Sequence, residues 1–256
     1  MSNQSTDRDT GPLLALLDAF DGIPIAAELR THSFDLLNVS AGTRLLDVGC
    51  GSGRAVGEAA RLGARAFGVD PDRSMIAVAE SRWPEGGFTV ADAYALPYPD
   101  SSIDAYRADK VYHVLENPAL ALAEAYRVLV PGGRIVLIGQ DWDAFVIDAD
   151  DPALTRTIVH ARADLVTGPR TARRYRALLI EAGYTDVRVE VRTGVFTDAT
   201  RLPLLPMLTE FATAAHGAGA ITAAQAEEWL DGQRRRAAED RVFMAMPLFV
   251  ADATRP

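Results

Sequence analysis

Cysteine is nearly absent from this chain: Cys50 stands alone among 256 residues. A single thiol excludes an intrachain disulfide framework and a cysteine-based zinc site. It fits a reducing cytoplasm, with Cys50 itself a small buried filler. Long apolar runs are missing too. None approaches the roughly 18 residues that a membrane-crossing helix requires, so no membrane attachment is expected. Positive charge is in deficit, with a formal net charge of −9, which argues against broad affinity for a nucleic-acid backbone. The two basic clusters, "RTARRYR" (Arg170 to Arg176) and "RRR" (Arg234 to Arg236), fall in helical patterns and read as solvated faces. No repeat and no Pro/Gly/Ser-rich linker divides the chain, which predicts one domain over residues 1–256. Residues 1–11, polar and aperiodic, predict a flexible tail without the basic start or apolar core of a signal peptide.

What is present is a hydrophobic content of 48 %, enough for a sizeable core. Short β-rich runs alternate with helical ones as far as about residue 195: "TRLLDVG", "RAFGVD", "GFTVAD", "SIDAYRAD" and "RIVLIGQ" are separated by helical patterns. That alternation predicts an α/β fold, a parallel sheet with crossover helices on both faces. Runs such as "RIVLIG" lack a clean period of two, as strands buried on both sides do. The late strands "DVRVEVRTGVF" and "RVFMAMPLFVA" predict an antiparallel pair. Helical patterns over 12–38, 150–166 and 200–238 exceed what the sheet needs, and those over 12–38 and 200–238 predict a lid.

The stretch "LLDVGCGSG", Leu45 to Gly53, ends the first strand. Open α/β sheets bind ligands beyond the carboxyl ends of their strands. Gly49, Gly51 and Gly53 allow a sharp turn and close approach of a ligand to the backbone, and the following helix offers free N–H groups to an anion. A nicotinamide dinucleotide calls for G-x-G-x-x-G/A. Here the final position is Arg54 or Val56, according to register, so the fingerprint fails. The observed G-x-G-x-G, with Asp47 just before it, resembles motif I of the class I methyltransferases that use S-adenosylmethionine (SAM). The closest likeness is to the small-molecule group similar to quinone-biosynthesis methyltransferases. "VADAYALPYPDSSID" resembles the third-strand segment of that group, with Tyr98 where Phe is usual, and "EAYRVLVPGG" (Glu124 to Gly133) resembles its later helix and turn.

The resemblance implies a Rossmann-like seven-stranded sheet of order 3-2-1-4-5-7-6 with the last strand antiparallel. It also implies SAM as cofactor and S-adenosylhomocysteine (SAH) as product. Carried over by position, Asp47, Gly49, Gly51 and Gly53 form the cofactor loop. Asp70, roughly 20 residues on, takes the ribose hydroxyls, and Pro71, Asp72 and Arg73 flank the adenine, although Asp72 reads equally as a helix N-cap. Asp92 and Ala93 address the adenine ring, and Lys110 lies at the cofactor end of the fourth strand. Glu124, Arg127 and the Pro131-Gly132-Gly133 turn are structural.

Methyl transfer is an in-line displacement in which positioning and exclusion of water lower the barrier, and a base helps only if the nucleophile has a proton to lose. Just past the fourth strand, His113 is the candidate base, or a packed loop histidine, and Tyr112 is expected to shape the pocket. Gln140, Asp141 and Trp142 at the end of the fifth strand are expected to orient the acceptor. Asp141 and Asp143 lack the Asp-Asn pair of the catechol-type enzymes, so no metal is expected. No Asn/Asp-Pro-Pro-Tyr/Phe segment follows the fourth strand, which leaves a small-molecule acceptor, largely apolar and of secondary metabolism. Two other readings remain open: a SAM-binding cyclase or non-methylating protein on the same fold, and a nicotinamide dehydrogenase.

Overall fold

Leu45 and Leu46 are both fully buried, yet they belong to different cores. Leu45 faces a layer with Val136 and Ile138, and Leu46 faces the opposite layer with Ile135 and Leu137. Side chains alternate along a strand, so a strand covered on both faces is apolar throughout. The computed structural model describes residues 11–199 and 204–256. All of the expected tail except Gly11, and residues 200–203 of the expected lid, lie outside the described residues.

In chain order the elements are α1 (Gly11–Asp21), α2 (Pro24–Leu36), β1 (Arg44–Val48), α3 (Arg54–Arg61), β2 (Arg65–Asp70), α4 (Arg73–Arg82) and β3 (Gly87–Val90). Then come β4 (Ile103–Asp109), α5 (Pro118–Val128), β5 (Leu129–Gln140), β6 (Val146–Ile147), α6 (Pro152–Ala163) and α7 (Tyr175–Glu181). The last are β7 (Thr185–Phe196), α8 (Leu204–Gly217), α9 (Ala223–Ala238) and β8 (Met244–Thr254). The sheet runs β3-β2-β1-β4-β5-β8, with β7 on the far edge of β8. Strands β1 to β5 are parallel, and β8 is antiparallel to both β5 and β7.

Among the described residues eight strands are present where seven were expected. The additional one, β6, pairs with Met244 and Ala245 of β8, beyond the stretch of β8 that β5 occupies and on the same edge. The cause is a short 3-10 turn at Trp142–Ala144, started by the Asp141 carboxylate accepting the Asp143 N–H at 3.0 Å. This turn lifts the chain away after Gln140 and returns it for two residues.

Helix starts follow local chemistry. Pro118 and Pro152 stand at the head of α5 and α6, where a missing N–H costs nothing, behind the capping side chains of Asn117 and Asp151. Thr222 and Gln225 close a capping box on α9. The helical region expected over 12–38 is two helices, since Pro24 opens α2. Helices α2, α3, α6, α8 and α9 cover one face, and α5 and α7 cover the other. Among the described residues no helix is long and apolar enough to cross a membrane.

Candidate active site

The three glycines after β1 all have positive φ: 69° at Gly49, 51° at Gly51 and 82° at Gly53. Their surroundings differ. A Cβ on Gly49 would overlap the Val111 side chain, and one on Gly53 would fall 2.8 Å from the Phe88 ring. A Cβ on Gly51 would meet nothing within 4 Å. Packing therefore excludes a side chain at Gly49 and Gly53, whereas the space over Gly51 is open. The Asp70 carboxylate ties the loop down by accepting the Gly51 N–H at 3.0 Å and the Asp72 N–H at 2.9 Å. Burial raises the titration of Asp70, opposed by those two backbone bonds. Each oxygen keeps a second lone pair for a ligand hydroxyl.

Asp72 caps α4, accepting the Ser74 N–H at 2.8 Å, while Pro71 and Arg73 are exposed beside it. Asp92 is exposed and turns its own loop by accepting the Tyr94 N–H at 2.9 Å, with Ala93 buried behind. Glu124 and Arg127 bind each other and the Leu96 backbone, bracing that loop.

Asp47 is buried against Arg107, its register partner on β4, at 2.8 Å. The same guanidinium donates to Asp109 at 2.8 Å and to the Ser33 hydroxyl at 2.9 Å. Burial pushes the Asp47 carboxyl up, with Arg107 opposing. Burial would also raise Asp109, but Lys110 and Arg107 hold it down at about 2. Lys110, the chain's only lysine, adopts φ 60° and places its ammonium 2.8 Å from Asp109.

Two cavities open at the carboxyl ends of β1, β4 and β5. The smaller, about 90 Å³, is lined by Gly49, Gly51, Asp47, Arg30, Arg54 and Lys110, among others. The larger, about 580 Å³, is walled by apolar side chains of α1, α2, α8 and β8, including Phe20, Ile25, Leu29, Met207, Phe211 and Leu248. Asp21, Asp109 and Lys110 line both. An open groove of about 660 Å³ around Arg134, Arg176 and Arg188 lies at the opposite end of the sheet, away from the glycine loop.

His113, Gln140 and Trp142 all line the larger cavity. His113 is 8 % exposed, its Nδ1 has no partner, and its ring lies 5.6 Å from that of Trp142. Burial first, then the nearby Lys110 and Arg162, push its titration down to about 4. The imidazole is neutral at pH 7. Tyr112 requires a correction: it is fully buried, bonded to the Tyr106 hydroxyl at 3.2 Å, and lies against Tyr175 instead of lining the cavity. In the turn after β4, Val111 packs over the glycine loop and His113 turns to the cavity, which sends Tyr112 into the opposite core.

Asp141 is fully buried and paired with Arg173, and Asp143 with Arg170, so neither orients an acceptor and the first basic cluster is more than a solvated face. Among the described residues no group of three or more His, Cys, Asp or Glu is placed to share an ion. Helix α9 contributes nothing to the larger cavity; it packs outside, on α8 and α6. Residues not anticipated from sequence include Arg107, Arg162 and Phe211. An arginine inside a buried strand next to an aspartate strand was a readable signal for the first. The other two come from distant helices and carry none.

A family model described as a methyltransferase domain matches residues 46–137. An uncharacterized 37.1 kDa protein of transposon Tn4556 from Streptomyces fradiae is 32 % identical over 247 residues, 94 % of this chain and 70 % of that protein. A demethylmenaquinone methyltransferase from Thermus thermophilus is 36 % identical over 115 residues, 43 % of this chain and 52 % of that enzyme, so the match spans about half its length. Among solved structures, a geranyl diphosphate C-methyltransferase from Streptomyces coelicolor, in complex with its substrate, Mg²⁺ and SAH, superposes with a TM-score of 0.58. It covers 99 % of this chain and 86 % of that one at 14 % identity, a likeness of fold. The glycine loop, the open space over Gly51 and the acid at the end of β2 fit SAM, whose product SAH is bound in that solved structure. The chain belongs to the class I SAM-dependent methyltransferases, with SAM as its cofactor.

Proposed function

We propose that this methyltransferase acts on a largely apolar small molecule of secondary metabolism, seated in the 580 Å³ cavity. The observation that carries the reading is the adjacency of an apolar chamber to the glycine loop through Asp21, Asp109 and Lys110. Asp70 would hold the ribose, Gly51 would let the cofactor lie on the main chain, and Asp92 with Ala93 would face the adenine. Pro71 and Arg73 flank that end. Lys110 sits where the two chambers meet. Asp47 acts from behind, by fixing Arg107 and through it Asp109.

The cofactor supplies an electrophilic methyl group. The walls from α1, α2 and α8 exclude water and fix the angle of approach, which is most of what a displacement needs. Gln140 and Trp142 border the acceptor. A neutral His113 can accept a proton, but a titration near 4 makes it a weak base, so it suits an acceptor that arrives already ionised or without a proton to lose. Mass analysis of products after incubation with SAM and an acceptor panel tests this function. A product heavier by one methyl supports it, and a rearranged product of unchanged mass would point to the cyclase reading.

A further inference from the structure

The described residues contain eight buried polar side-chain atoms without a hydrogen-bond partner, and four belong to residues of one wall: His113, Gln140, Trp142 and Arg162. Buried polar groups are nearly always satisfied, so this concentration along an apolar chamber marks a place that a polar ligand group would satisfy. Arg162, from α6, lies with its guanidinium 4.7 Å above the Trp142 ring and 5.9 Å from that of Phe211. Aromatic stacking fixes the plane of the guanidinium and leaves its edge for a ligand. The acids of the same wall are committed elsewhere. Asp109 is paired with Arg107 and Lys110, and Asp21 with Arg30 and Arg54. Glu210 pairs with Arg162 at 3.0 Å but is largely exposed, and such a bond is weak enough to be exchanged.

We propose that the acceptor carries an anionic oxygen group, which Arg162 binds against the Trp142 face of the apolar cavity. The inference rests on the methyltransferase reading and adds the charge class of the acceptor. An amphiphile of this kind uses both halves of the chamber, its body on Ile25, Leu29, Met207 and Leu248 and its charge on the guanidinium. Charge-assisted bonds to arginine are directional and strong, and in a water-poor site they separate an acid from its neutral isostere.

The test uses 2-naphthoate and 2-naphthamide, equal in body and different in charge, titrated calorimetrically into the full chain with and without SAH. SAH titrated alone decides the cofactor reading independently. Naphthoate is expected to bind about tenfold or more tightly than the amide. Arg162→Met should remove that preference while leaving affinity for the amide and for SAH unchanged, and Arg162→Lys should retain part of it. Binding of 2-naphthol that strengthens as the pH approaches its ionisation would place the charge on a hydroxyl and also support the proposal. Equal affinity for acid and amide, no naphthoate binding at millimolar concentration, or a preference that survives Arg162→Met overturns it. So does a loss of SAH affinity in Arg162→Met, which would assign the guanidinium to the cofactor.

Discussion

At Gly51 the backbone turns left-handed beneath open space, whereas at Gly49 the same turn lies against Val111. Substitution by alanine should therefore separate binding from folding. Gly51→Ala is expected to cost about 1 kcal/mol of stability, the strain of a side chain at positive φ, and to weaken SAH markedly. Gly49→Ala carries the same strain plus a clash, and denaturant melts should place it well below Gly51→Ala. Asp70→Ala should weaken SAH by about 1.5 to 3 kcal/mol by calorimetry, because hydrogen bonds to a charged acceptor are lost. Unchanged affinity would remove Asp70 from the site. His113 adds a pH dependence. With a folded titration near 4 and an ordinary value of 6.5, only the unfolded chain takes up the proton as pH falls between them. Stability present above pH 6.5 is thus lost progressively towards pH 4, by at most about 3 kcal/mol. His113→Gln should flatten that part of the stability profile, and an unaltered profile would contradict the assigned burial of a neutral ring. Loop and acid were legible because Gly49, Gly51, Gly53 and Asp70 form a local pattern with one backbone meaning. Tyr112 was not, since in a turn neighbouring side chains diverge and the alternation rule of strands gives no direction.

Strand β4 carries a fully buried charge, and Arg107 is tolerated there because Asp47 across the register on β1, Asp109 and Ser33 surround it. Arg107→Met leaves Asp47 buried without its partner and Asp109 with Lys110 alone, and should destabilise the fold by about 3 to 5 kcal/mol in denaturant titrations. A loss below 1 kcal/mol would mean that the acids take up protons or rearrange at little cost. Among the helices, α1, α2 and α8 wall the larger cavity and α9 does not. Hydrogen exchange should slow in α1, α2 and α8 when SAH and an acceptor analogue are both bound, with α9 unaffected. Equal protection in all conditions would make them fixed scaffold. The helices themselves were readable from periodicity and from starts such as Asn117-Pro118 and Asp151-Pro152. Which of them walled the cavity was not read from the 200–238 segment taken as a whole, although α8 is mostly apolar and α9 carries Glu227, Glu228, Asp231 and Arg234 to Arg236. The break that makes β6 was hidden, since it depends on Asp141 turning inward to cap the Trp142 turn.

Over the whole molecule, the parallel strands bring the ends of β1, β2, β4 and β5 to one rim, and the helices beyond the sheet add an apolar chamber beside the cofactor loop. The two chambers share Asp21, Asp109 and Lys110, and that junction is where a methyl group would pass. The most direct test is incubation of the protein with SAM bearing a trideuterated methyl group and a panel of apolar acids and their amides, followed by mass analysis. Transfer of the intact labelled methyl to an acceptor by the wild-type chain, abolished or strongly reduced in Asp70→Ala, is the predicted result. Tight SAM binding without any labelled product, or products of unchanged mass, would contradict methyl transfer as the activity of this site.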